Sequence, residues 1–183
     1  MKKILTLLAG LCVALSVSAE TFTVDTSHAV IGFSVKHMMI SNAKGRFNTF
    51  EGTLEYDVAT KTLTSAEGVI ETASIDTNNK KRDEHLKNED YFNVAKHPKM
   101  TFKSSSVKKT GEGTFEVTGV LNVLGVDHKV VLPIVINGPV KGRKGGTLIG
   151  LECNTVINRR SLGITHSPST LIADDVKISI EAE

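Results

Sequence analysis

The chain has 183 residues and a formal net charge of +2, which comes from 22 lysines and arginines against 20 acidic residues. Lys2 and Lys3 lie in a stretch that we expect to be removed, so the charges of the remaining chain balance. Nucleic-acid binding needs a clustered excess of positive charge, and the composition therefore argues against a nucleic-acid partner.

Residues 1–19 have the three parts of a secretory signal peptide. A lysine-containing start is followed by an apolar stretch, Ile4 to Val17, and by a small-residue cleavage site that ends at Ala19. The apolar stretch is too short to span a bilayer comfortably, and the rest of the chain has no run of transmembrane length. We therefore predict a periplasmic protein whose mature domain covers residues 20–183 and has no integral membrane segment.

An alternation of apolar and polar residues dominates the chain from Phe22 onward and predicts β-strands. In the first clear strand, Ala29, Ile31, Phe33 and Val35 share one face. Seven further strands are predicted at about 45–57, 63–75, 100–107, 115–123, 129–136, 147–157 and 176–180. Most are joined by short hairpins, which indicates an antiparallel meander. Eight such strands can close into a barrel that leaves no free edge, so the predicted fold is an all-β, eight-stranded antiparallel barrel.

One polar segment interrupts the strands near the middle of the chain. It predicts a short helix over about residues 78–88, in which Leu86 is the single large apolar side chain. A helix of this composition cannot be a core element. We expect it to lie across the barrel and to contact it through Leu86 and then through Tyr91 and Phe92.

The interior of an eight-stranded barrel is either just filled by side chains or holds one small ligand. Aromatic residues make up only 5% of the chain and tryptophan is absent, so bulky fillers are few. This composition favours an apolar tunnel. A filled barrel that serves as an interaction module, with a homodimer formed through an edge or an outer apolar patch, stays open as an alternative.

Signals for chemistry are weak. No nucleophile elbow, phosphate-binding loop or dinucleotide fingerprint is present, and we predict neither an enzyme nor a cofactor. The six histidines are at least nine residues apart, so no pair has the close spacing typical of metal ligands, and a metal site could arise only from distant segments. His37 continues the inward parity of Val35, and Arg82 and His85 share a helix face, so all three could contact a ligand head group. Their alternative roles are an ordinary rim histidine and a solvated helix face.

A series of short motifs follows the signal peptide in a fixed order: Asp25-Thr26-Ser27-His28, Phe33-Ser34-Val35-Lys36-His37-Met38, Gly45-Arg46-Phe47, Ser74-Ile75-Asp76-Thr77, Arg82-Asp83-Glu84-His85-Leu86-Lys87, Tyr91-Phe92, His97-Pro98, Thr101-Phe102-Lys103-Ser104 and Gly119-Val120-Leu121. In this order the motifs resemble the YceI-like, polyisoprenoid-binding family of exported bacterial proteins. One departure occurs late in the chain. Arg159 is followed by Arg160-Ser161-Leu162-Gly163, where the family usually has an acidic residue, an aromatic residue and a glycine.

The resemblance implies a lipocalin-like barrel around an apolar tunnel for a long isoprenoid, isoprenoid quinone or fatty-acyl chain. It implies lipid binding, transport or storage and a part in the stress response. From strand parity and family position we expect ligand contacts from Phe33, Val35, His37, Phe47, Ile70, Ile75, Arg82, His85, Leu86, Tyr91, Phe92, Phe102, Leu121 and Val123. A rival hypothesis is a hydrolase or isomerase acting on an isoprenoid diphosphate, with His37 and His85 as acid and base.

Overall fold

The computed structural model describes residues 19–143 and 145–183. The predicted signal peptide lies outside these residues apart from Ala19, its last position, so its removal stays a prediction. Within the described residues the strands are β1 (Glu20–Thr23), β2 (Val30–His37), β3 (Ser41–Phe47), β4 (Phe50–Asp57), β5 (Thr62–Glu71), β6 (Ile75–Asp76), β7 (Lys99–Gly111), β8 (Thr114–Val123), β9 (Val126–Lys141), β10 (Thr147–Asn158) and β11 (Ile172–Ala182). One helix, α1 (Lys80–Lys87), lies between β6 and β7, and short 3-10 turns form at Thr26–His28 and Thr72–Ser74.

All neighbouring strands pair antiparallel, as the alternating pattern predicts. They form one sheet in the order β1-β4-β5-β7-β8-β9-β10-β11-β2-β3-β6. The prediction of eight strands is wrong, because the described residues contain eleven. The strand expected at 45–57 is interrupted at Asn48 and Thr49, the strand expected at 63–75 is interrupted by the 3-10 turn at Thr72–Ser74, and β1 is an additional short strand.

The two ends of this sheet meet, which gives the fold its barrel character. β3 and β4 lie near opposite ends of the strand order, yet only two residues separate them in the chain. Two backbone hydrogen bonds cross the bends there: the Asn48 N–H donates to the Ser74 carbonyl at 3.1 Å, and the Glu71 N–H donates to the Thr49 carbonyl at 3.0 Å. The curled sheet therefore encloses an interior, as the sequence predicts.

The bend between β3 and β4 also changes which residues face the interior. With uninterrupted alternation, Phe47 and Phe50 would point to opposite faces. In the structure Phe47 is only 8% exposed and Phe50 also faces the interior, whereas the Arg46 side chain is 59% exposed. Asn48 and Thr49, which lack regular strand pairing, thus allow the apolar side chains of both β3 and β4 to face the interior.

Buried apolar residues form two clusters. The base cluster packs at the end of the barrel where β4 joins β5 and β7 joins β8. Its members include Tyr56, Leu63, Phe115 and Val117, and each of these four is at most 2% exposed. The mouth cluster centres on Phe47, Ile75, Met100, Val123 and Ile164 and packs at the end that carries α1. We call this end the mouth, and residues 77–98, which include α1, the lid segment.

α1 has the polar character predicted for it. None of its residues is buried, and it begins after Asn79, whose side-chain oxygen accepts a hydrogen bond from the Arg82 N–H at 3.1 Å. Leu86 packs against the mouth cluster together with Tyr91 and Phe92. No helix among the described residues combines the length and the apolar character needed to cross a membrane.

A glycine makes space for one ring of the interior. A Cβ atom at Gly119 of β8 would lie 2.6 Å from the ring of Phe102 and 2.6 Å from the Lys103 carbonyl oxygen of β7. Since the second obstacle is backbone, it cannot move without disturbing the β7–β8 ladder. The small residue therefore sets how close these two strands and the Phe102 ring can approach.

Gly119→Ala should lower the free energy of unfolding by about 1–3 kcal/mol, because overpacking forces the backbone and the Phe102 ring to shift. Urea denaturation followed by circular dichroism measures the change. Gly68→Ala in β5 is the matched control, since its Cβ would meet nothing closer than the Glu51 carbonyl oxygen at 3.7 Å. Equal effects of the two substitutions would contradict the proposed packing.

Candidate functional site

A cavity of about 320 Å³ lies inside the barrel. Its wall is mostly apolar, with side chains from β2 to β5 and from β7 to β11, and the lid segment and residues 159–164 also contribute to it. Ligand pockets commonly measure about 300–1,000 Å³, and cavities with apolar linings stay dry and accept apolar guests. The cavity is therefore suited to hydrocarbon and unsuited to a polar or charged molecule.

Ten of the fourteen residues predicted to contact a ligand line this cavity: Phe33, Val35, Phe47, Ile70, Leu86, Tyr91, Phe92, Phe102, Leu121 and Val123. Phe33 and Val35 project inward from β2 as their parity predicts. Phe102 of β7 and Leu121 of β8 are opposite each other in the strand register. Their position in the wall makes contact with a ligand feasible, and the contact itself stays a prediction.

The other four predicted residues do not line the cavity. His37 is the last residue of β2, opposite Ser41 of β3 and Ile172 of β11; Ile172 lines the cavity and His37 does not. Ile75, which is 3% exposed, packs in the mouth cluster as the register partner of Phe47 and does not itself line the cavity.

The two polar helix residues instead make contacts within the lid segment. The Arg82 Nε donates to Thr77 Oγ1 at 2.8 Å, and its Nη2 donates to the Thr77 carbonyl at 2.9 Å. The Nε2 atom of His85 lies 3.2 Å from Asp90 Oδ2. Parity and spacing could not show these local partners, because both depend on how the chain turns before and after α1.

Aromatic rings connect the lid segment to the barrel wall. The Phe92 ring packs edge-to-face on Phe47 with 5.8 Å between ring centroids, and Phe47 packs against Phe33 at 5.9 Å. On the other side, the Tyr91 hydroxyl lies 2.9 Å from Ser167 Oγ, within hydrogen-bond distance. The lid segment therefore covers the mouth through an apolar contact with β2 and β3 and a polar contact with the loop between β10 and β11.

That loop, residues 159–171, is organised by Arg159, which is only 4% exposed. The five N–H groups of its guanidinium make six hydrogen-bond contacts of 2.7–3.0 Å, to the carbonyls of Ile164, His166, Ser167, Ile172 and Ala173 and to Asp174 Oδ1, so that one N–H of Nη2 is shared between two acceptors. Burial lowers the pKa of the guanidinium and the neighbouring Arg160 adds to this, while Asp174 opposes both. An arginine remains charged under such conditions, so the ordered carbonyls compensate the buried charge.

Sequence reasoning missed the contribution of this loop to the site. Arg159, Leu162 and Ile164 all line the cavity. Alternation could not reveal them, because the loop is irregular. Arg159 was visible as a charged residue directly after a predicted strand, and the departure from the family pattern at Arg160 drew attention to this loop.

Cys153 of β10 adds a thiol to the cavity wall. It is free and 2% exposed, and burial raises its pKa to about 11. The thiol is therefore neutral near pH 7 and acts as a small apolar group rather than as a nucleophile. The wall thus offers no activated cysteine for covalent chemistry.

Comparison with known proteins gives consistent matches. A family model described as the YceI-like domain matches residues 22–183. A UPF0312 protein of Azotobacter vinelandii is 36% identical over 148 residues, which are 80% of this chain and 77% of that protein.

Solved structures with a similar fold include the YceI protein of Campylobacter jejuni, which is 33% identical, with a TM-score of 0.74 over 81% of this chain and 89% of that chain. A polyisoprenoid-binding domain from Saccharophagus degradans has a TM-score of 0.65 at 15% identity, over 90% of this chain and 97% of that chain. At that identity the second likeness concerns the fold.

Arg159→Lys should destabilise the protein by about 2–4 kcal/mol, because lysine retains the charge but cannot donate to the same set of carbonyls. Urea denaturation of the variant and the parent measures the difference. Arg46→Lys is the matched control: its guanidinium is 59% exposed and lies 3.7 Å from Asp76, so a change within about 0.5 kcal/mol is expected. A similar small effect at both positions would show that the buried network contributes little.

Proposed function

Because the chain belongs to the YceI-like domain family, we propose that its cavity binds the apolar tail of a long-chain amphiphilic lipid, namely a polyisoprenoid, an isoprenoid quinone or a fatty-acyl compound. The observation that carries the proposal is the apolar cavity of about 320 Å³ beneath the lid segment. A further support is that a solved neighbour of the same fold is a polyisoprenoid-binding domain.

Burial of the tail supplies the driving force for binding. Each buried CH₂ contributes about 0.8 kcal/mol, so a tail of about twenty carbons would gain on the order of 15 kcal/mol before the costs of ordering and desolvation. Specificity for one lipid class would then come from chain shape and from the head group.

The head group would lie at the mouth. The tail fits against Phe33, Phe102 and Leu121, whereas the polar groups at the mouth include the Tyr91 hydroxyl and the loop held by Arg159. The Arg159 guanidinium is already bonded to the loop, so we expect it to shape the mouth rather than to bind a head group directly. Tyr91 and Ser167 are the proposed polar contacts.

The N-terminal pattern of residues 1–19 is typical of a signal peptide and supports the proposal of a role in the periplasm. We propose an exported protein that carries or stores lipid there, with lipid protection during stress as its physiological purpose. Lipid binding in the cavity does not depend on this location.

The two rival hypotheses have weaker support. An acid–base pair made of His37 and His85 would need adjacent imidazoles, but the rings packed against His85 are those of Tyr91 and His166, with centroids 5.1 Å and 5.4 Å away. A filled barrel would not leave a cavity of this size. Neither observation favours a second function over lipid binding.

Organic extraction of the purified mature protein, followed by mass spectrometry, tests the proposal. We expect one lipid class at close to one molecule per chain. Val35→Trp places a bulky ring in the cavity and should reduce the bound lipid, whereas Val156→Trp, at a position that is 56% exposed and does not line the cavity, is the matched control. Protein that carries no lipid and takes up no fluorescent fatty-acyl or prenyl probe would refute the proposal.

Leu86→Asp should speed the release of a bound lipid probe by at least about tenfold while the barrel stays folded. The lid segment loses an apolar contact worth about 1.5–3 kcal/mol in the closed state, and 1.4 kcal/mol corresponds to a factor of ten. Stopped-flow transfer of the probe to acceptor vesicles measures the rate. Lys81→Asp, on the exposed part of the same helix, is the control, and an unchanged rate in Leu86→Asp would show that the lid segment does not retain the ligand.

A further inference from the structure

Three potential metal ligands meet above the cavity, from segments that are distant in the sequence. His85 is on α1, Asp90 follows it in the lid segment, and His166 belongs to the loop between β10 and β11. His85 Nε2 lies 3.2 Å from Asp90 Oδ2, and His166 Nδ1 lies 3.5 Å from Asp90 Oδ1. One ligand atom from each of the three residues lies within 4.8 Å of the other two.

These separations suit a shared ion. Zinc bonds imidazole nitrogen and carboxylate oxygen at about 2.0–2.2 Å, which places tetrahedral ligands about 3.3 Å from one another. The two measured distances already bracket this value. Small side-chain rotations would bring the three atoms around a common centre, since all three side chains are between 42% and 48% exposed and have room to move.

We propose that His85, Asp90 and His166 form a binding site for a divalent transition-metal ion, with zinc as the preferred ion. Two imidazoles and one carboxylate are a ligand set typical of zinc, and they disfavour calcium and magnesium, which take oxygen ligands. The exposure of the site leaves the fourth position to water. His85 lies near the C-terminal end of α1, Asp90 in the turn that follows it, and His166 in the loop between β10 and β11.

The ring of Tyr91 holds the two imidazoles in place. It packs edge-on with His85 at 5.1 Å and with His166 at 5.2 Å between centroids, while its hydroxyl lies 2.9 Å from Ser167 Oγ. Ordered surroundings of this kind fix the orientation of metal-binding histidines. Tyr91 also lines the cavity, so the site lies directly on the structure that covers the mouth.

A metal at this position would join the lid segment to the loop at residues 159–171. Opening the mouth would then require one metal–ligand bond to break. This consequence rests on the proposed lipid-binding function: zinc should slow lipid release, and by linkage bound lipid should strengthen zinc binding if the closed mouth favours both.

A second histidine–carboxylate pair provides the contrast. His28 Nδ1 lies 3.0 Å from Asp25 Oδ2, also on the surface, but among the residues that the structure describes no further histidine joins that pair. A histidine–carboxylate contact without a third ligand should not hold zinc tightly. His28→Ala is therefore the matched control for His85→Ala and His166→Ala.

The test is a zinc titration of lipid-free, chelator-stripped protein against a chromophoric zinc indicator. We expect one saturable site in the parent protein and in His28→Ala. Loss of a supporting partner alone weakens zinc sites about 10–100-fold, so His85→Ala and His166→Ala should each weaken binding by at least this range. No saturable site in the parent, or equal affinity in all three variants, would overturn the assignment and leave the three side chains as an ordinary hydrogen-bonded cluster.

Release of a fluorescent prenyl or fatty-acyl probe, with and without zinc, tests the locking role separately. Slower release in the parent and no change in His166→Ala support the lock. Zinc binding with an unchanged release rate overturns the lock but keeps the metal site. Because the titration uses lipid-free protein, a failure of lipid binding cannot be mistaken for a failure of metal binding.

Discussion

A sheet that curls round to meet its own ends must keep one face apolar along its entire length, and this requirement governs the structure. An uninterrupted alternation of inward and outward side chains cannot satisfy this requirement here. The segment from β3 to β4 changes its neighbouring strands at its midpoint, from β2 and β6 to β1 and β5. The bend at Asn48 and Thr49 solves the problem: it shifts the alternation by one position, so that Phe47 and Phe50 both face inward. Backbone bonds to the Ser74 carbonyl and from the Glu71 N–H satisfy the polar groups exposed by the bend. Backbone hydrogen bonds close the barrel, so no side chains have to fill its interior, and the cavity remains open.

Much of this architecture could be predicted from the sequence. Alternation in β2 placed Phe33 and Val35 on the inner face, because a regular strand turns side chains with a strict period of two. Leu86 is the single large apolar residue of a polar helix and was therefore expected to contact the barrel. It packs on the mouth cluster. One of the three additional strands was missed because a bend that preserves burial has no local signature: Asn48 and Thr49 read as two consecutive residues of one long strand.

The site was harder to predict than the wall. Arg159 acts mainly through carbonyl groups of the following fourteen residues, and carbonyls are present whatever the side chains are. His85 and His166 are separated by most of the second half of the chain, so their contact depends on where α1 and the loop between β10 and β11 come to rest. Spacing rules detect ligands that share one helix or hairpin. They cannot detect a group of ligands that forms only where the lid segment and the loop at residues 159–171 meet over the mouth.

The weak attachment of α1 has a consequence for dynamics. The helix has no buried residue and meets the barrel mainly through Leu86 and the two aromatic residues that follow. Segments with few buried contacts open at a free energy well below that of global unfolding, and they do so as cooperative local units. Amide hydrogens of α1 should therefore exchange with solvent faster in the native state than the amide hydrogens of β8 and β9. Mutations in α1 that change how fast a ligand enters or leaves through the mouth can then accumulate without lowering the free energy of unfolding of the β-sheet.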